Sequence, residues 1–145
     1  MKNLILSNKE LLRVILAVCL LVVGILHFVL PEPFIKIVPP VFLYPAAMVY
    51  ISGFFEILGA IGLLFPPVSR LAAWGLVSLF IAVYPANLYM AIHHIHIPNI
   101  PVSNTFQAIR LPLQFVLIAW AWWYTRPDDN PNQASIIPGY PKVNE

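Results

Sequence analysis

Apolar residues dominate four stretches of the chain, Leu11 to Leu30, Ala46 to Phe65, Leu71 to Ile92 and Ala108 to Tyr124, with prolines, histidines or charges between them. About 20 apolar residues in a helix cross the roughly 30 Å of bilayer hydrocarbon. The pattern therefore predicts transmembrane helices at 11–30, 46–65, 71–92 and 108–124. The expected fold class is all-α: a membrane-spanning four-helix bundle with an apolar, proline-rich first extracytoplasmic loop. Residues 1–126 make up this domain, and 127–145, which turn polar and proline-containing, read as a cytoplasmic tail with little packing.

The punctuation between spans carries its own expectations. Pro31, Pro33, Pro39, Pro40 and Pro45 break up the first connection, yet Phe34, Ile35, Ile37, Val38, Phe42 and Leu43 make it apolar. Such a segment lies on the membrane surface or caps the bundle as a lid. Pro66 and Pro67 predict a short turn that sets the second and third spans antiparallel. Pro85 and Pro112 fall inside the third and fourth spans, where a missing N–H predicts kinks. Gly53, Gly59, Ala60 and Gly62 on the second span, with Ser78, Ala82 and Ala86 on the third, give surfaces small enough for close helix approach.

Composition agrees with a membrane solvent, since 60% of residues are hydrophobic and 10% charged, far from the balance of a soluble domain. A net charge of +2 is too small to point to nucleic acid. Its distribution is more useful. Lys2, Lys9, Arg13, Arg70, Arg126 and Lys142 fall on one side of a four-span layout, against Lys36 and Arg110 on the other. The positive-inside rule then puts both termini in the cytoplasm, with Trp74, Trp120, Trp122, Trp123 and Tyr124 as an interfacial aromatic belt. The expected location is the bacterial inner (plasma) membrane. The first span lacks a small-residue cleavage pattern and is read as a retained helix. Cys19 is the one cysteine, so a dithiol relay within this chain is excluded.

Against this apolar background the polar residues stand out. Glu56 falls near the middle of the second span, where a charge costs about 2.5–3.5 kcal/mol on insertion scales and marks a functional candidate. At 1.5 Å per residue, His27 lies about 5 Å, Asn87 about 8 Å, Arg110 about 3 Å, Gln114 about 9 Å and Glu56 about 15 Å from the outer end of its span. All four helices thus supply a polar group to the same half. Arg110 and Gln114, four apart, share a helix face. Together the five predict a polar pocket open to the outer side, with Glu56 and His27 as catalytic candidates and Arg110, Gln114 and Asn87 as substrate-binding ones. Glu56 either pairs with Arg110, directly or through Gln114, as a charged clamp, or stands alone as a neutral acid able to donate a proton. The plain alternative is a set of interhelical contacts that only fix register. His93, His94 and His96 are a second cluster, but Ile97 and Pro98 end the helix and no acidic or thiol ligand is near, so no metal is assigned.

The runs Gly24-Ile25-Leu26-His27-Phe28, Pro33-Phe34 with Pro39, Ile51-Ser52-Gly53-Phe54-Phe55-Glu56 with Gly59, Pro85-Ala86-Asn87 and Arg110-Leu111-Pro112-Leu113-Gln114 resemble the DoxX-like family of small four-helix membrane proteins over residues 11–126. Some members of that wider group are similar to quinone-linked sulfur oxidoreductase subunits, and others are associated with oxidant defence or partner maturation. The resemblance implies a component of a membrane oxidoreductase system with no intrinsic cofactor and a bound quinone or other amphipathic small molecule. The missing cysteine pair argues against thiol relay. Two other functions fit the same residues: a non-catalytic accessory or assembly subunit with a protein partner or a second copy, and a small-solute or proton carrier.

Overall fold

The computed structural model describes residues 8–95 and 104–126. Among these residues the chain is all-helical, with α1 (Asn8–Val29), α2 (Pro31–Ile37), α3 (Pro45–Leu64), α4 (Pro66–His93) and α5 (Asn104–Trp123). α1, α3 and α4 are long and apolar enough to cross a membrane, whereas the apolar part of α5, Ala108–Trp123, is shorter. The expected tail at 127–145 and His96 lie outside the described residues.

Two connections differ from the expectation, both because proline is well placed in a first helical turn, where its missing N–H has no intrahelical partner to lose. Part of the first apolar loop is helical, since Pro31 opens α2. The expected turn at Pro66 and Pro67 is instead the start of α4, and Phe65 alone, with φ −99° and ψ 106°, closes α3 and caps α4. Twenty-eight residues make α4 ~42 Å long at 1.5 Å per residue, more than the hydrocarbon thickness. Pro85 and Pro112 sit inside α4 and α5 without ending either helix. α4 closes at His94, which takes the left-handed conformation with φ 46°.

Packing follows chain order: α1 lies on α3, α3 on α4 and α4 on α5, while α2 touches α1, α3 and α4. The apolar core gathers at one end, from Leu16, Ala17 and Leu20 of α1, Ala60 and Leu63 of α3, Ala73, Leu76, Val77 and Phe80 of α4, and Ala121 with Tyr124 at the end of α5. Cations collect at that same end. Lys9 lies 5.7 Å over the Trp123 ring, Arg13 5.2 Å over Tyr124 and Arg126 4.6 Å over Trp122. Arg70 donates to the Thr125 carbonyl at 3.1 Å. Tyr124 is no surface belt residue: its ring is buried in the core and its hydroxyl donates to the Lys9 carbonyl at 3.0 Å, tying α5 to α1.

Candidate functional site

The opposite half of the molecule holds the polar groups, and they form two sets. The first joins α1 and α3. Gly24 and Gly53 meet where these helices cross: a Cβ on Gly53 would lie 2.6 Å from His27 Cβ and 3.1 Å from the Gly24 carbonyl oxygen. A Cβ on Gly24 would lie 2.7 Å from Ile57 Cγ1. Such backbone proximity is available only to glycine, and it brings His27 beside Glu56, one turn beyond Gly53.

His27 Nδ1 lies 2.8 Å from the Val23 carbonyl oxygen. A carbonyl accepts and never donates, so Nδ1 carries the hydrogen, and in a neutral ring Nε2 keeps the lone pair. Glu56 Oε2 is 3.5 Å from the same Nδ1. That separation exceeds a well-formed N–H···O bond, so the pair is adjacent without being closed. The two side chains are 12% and 11% exposed, so the pair is largely buried but not sealed. Phe34 of α2 covers it, its ring stacked on the imidazole at 3.9 Å between centroids and 22° between planes.

The second set joins α4 and α5 as a directed chain. Arg110 Nη2 donates to Asn87 Oδ1 at 2.9 Å, Asn87 Nδ2 to Gln114 Oε1 at 3.1 Å, and Gln114 Nε2 to the Phe80 carbonyl at 2.9 Å. Both ends dictate the amide orientations. A guanidinium can only donate and a backbone carbonyl can only accept, so each amide between them has one consistent setting. Phe80 lies one residue before Ile81, whose carbonyl gains no helical partner from Pro85. Arg110 Nη1 also meets Met90 Sδ at 3.1 Å. A guanidinium has five N–H donors, and two are spent on these described partners.

The five sequence-selected residues therefore share one half of the molecule but not one network. The Glu56–Arg110 contact weighed from the sequence is not made: Glu56 faces His27, Arg110 faces Asn87 and Met90, and among the described residues no hydrogen bond or ion pair runs between the sets. α2 touches both, with Phe34 on His27 and Ile37 packed with Met90. Phe34, Gly24 and Met90 escaped selection because an aromatic in a proline-rich loop, a glycine in a span and a methionine among apolar residues carry no polar signal.

Two other features lie apart. Between α3 and α4 runs an apolar groove of about 530 Å³, lined by residues that include Phe55, Gly59, Gly62, Ala72, Gly75 and Ala82 and by none of the five. At the end of α4, His93 is engaged locally, with Nδ1 3.1 Å from the Tyr89 carbonyl oxygen and its ring 4.1 Å from that of Tyr89. Among the described residues no group of three potential metal ligands occurs.

A family model described as a domain of unknown function, DUF8561, matches residues 16–125, so the chain belongs to that family. No curated protein and no solved structure matches it.

Proposed function

We propose that this member of DUF8561 is an integral protein of the bacterial inner membrane, a DoxX-like four-span bundle with both termini in the cytoplasm, that binds a quinone or another amphipathic small molecule at its outer half as a component of an oxidoreductase system. In this reading α5 is the fourth span. Three long apolar helices support membrane insertion. The gathering of Lys9, Arg13, Arg70 and Arg126 at one end supports the orientation, because the cytoplasmic side retains cations.

The observation that carries the functional reading is the His27–Glu56 pair: a buried carboxyl in mid-span whose polar neighbour is an imidazole 3.5 Å away. A carboxyl beside an imidazole can pass a proton to or from a ligand oxygen that reaches the carboxyl. The two catalytic candidates are thus Glu56 and His27. Arg110, whose guanidinium has donors beyond the two spent on Asn87 and Met90, supplies hydrogen bonds to a ligand carbonyl, with Asn87 and Gln114 holding it in place. Electrons come from a partner or from the substrate, and the proton chemistry is this chain's part.

The test is purification in nanodiscs followed by mass spectrometry of co-purified small molecules, comparing wild type with Glu56→Gln and Arg110→Ala. A stoichiometric ring compound that is lost in Glu56→Gln supports the reading. Equal retention in both variants makes the polar groups interhelical glue.

A further inference from the structure

α2 touches α1, α3 and α4, and two of its side chains meet the polar half, Phe34 against His27 and Ile37 against Met90. Residues 40–44, which follow α2, are exposed. Ile37 is the buried residue of α2, while Val41, Leu43 and Tyr44, in the connection to α3, are 78%, 86% and 73% exposed. The Phe34 ring occupies the face of the imidazole beside a carboxyl that has no closed hydrogen bond among the described residues, and that face has the shape of a planar ligand's head group.

We infer that α2 is a gate over the His27–Glu56 pair: Phe34 fills a ring-shaped slot on the imidazole, and a planar ring-bearing ligand enters by displacing it. The inference rests on the ligand-binding reading above and adds the ligand's class and its route. A flat ring can repeat the stack that Phe34 gives up, at centroid distances of 4.5–7 Å or closer, whereas a linear acyl chain cannot. A ring oxygen entering there comes within reach of the Glu56 carboxyl, while the His27 Nδ1–H stays on the Val23 carbonyl. Ile37 couples the gate to the second set, because the Met90 it packs on accepts from Arg110. Lifting α2 therefore uncovers the pair and loosens the contact that seats the guanidinium.

The experiment is the rate at which dicyclohexylcarbodiimide, an apolar carboxyl reagent, modifies Glu56 in nanodiscs, read by mass on the peptide that carries it. Glu56→Gln is the blank, and thermal melting checks that each variant is folded. Phe34→Ala should label about three- to tenfold faster than wild type, the factor expected from losing one ring stack. Phe34→Tyr, which keeps the ring, should label at the wild-type rate. Duroquinone should slow wild-type labelling and dodecanol should not. Equal rates in wild type, Phe34→Ala and Phe34→Tyr overturn the gate even where a ligand co-purifies. Faster labelling of Phe34→Ala with no protection by duroquinone upholds the gate and overturns the ring-bearing ligand.

Discussion

Single glycines in this chain have opposite roles, and their substitutions should have opposite signs. Gly53→Ala drives a methyl to 2.6 Å from His27 Cβ and 3.1 Å from the Gly24 carbonyl oxygen, neither of which is the end of a flexible side chain. It should destabilise the protein by about 1–3 kcal/mol, the cost of overpacking, and displace His27 from Glu56. Gly75→Ala meets nothing within 4 Å and should raise stability by about 0.5–1 kcal/mol through helix propensity. Thermal melting in one detergent measures both. Glu56 and Arg110 were legible from sequence alone because ionisable groups in apolar runs are costly. Their partners were not, because depth along a helix says nothing about the direction a side chain faces.

Helix pairing decided those partners. α1 crosses α3 at glycines and α4 is clasped to α5 by amides, so His27 meets Glu56 and Asn87 meets Arg110 and Gln114. A double-mutant cycle on Asn87→Leu and Gln114→Leu should show a favourable coupling of about 0.6 kcal/mol and at most about 1.7 kcal/mol, as for other interhelical hydrogen bonds in membranes. Additive effects would mean that their 3.1 Å hydrogen bond contributes nothing to stability. The positions of the long helices follow from the apolar runs and shift only at their ends. α2 was hidden because five prolines between residues 31 and 45 read as a loop, although proline in a first turn starts a helix as readily as it breaks one. Proline also conceals the true start of α4.

Over the whole molecule the two ends divide the work: an apolar core braced by Lys9, Arg13, Arg70 and Arg126 at one, and the two polar sets under α2 at the other. That axial division was legible from the sequence, since it follows from counting residues inward from each span end. In a Cys19→Ser background, Arg70→Cys in intact cells should resist an impermeant maleimide that labels Leu43→Cys, whose position is 86% exposed at the other end. The reverse pattern would invert the orientation. The account as a whole depends on the His27–Glu56 pair holding a ligand, and direct binding tests it most squarely. Duroquinone added to the protein in nanodiscs, with binding followed by equilibrium dialysis, should saturate at one per chain. Glu56→Gln should weaken that binding about tenfold or more, the usual cost of losing a hydrogen bond to an ionisable group, without lowering the melting temperature. Binding that is equal in wild type and Glu56→Gln, or absent from both, would contradict the account.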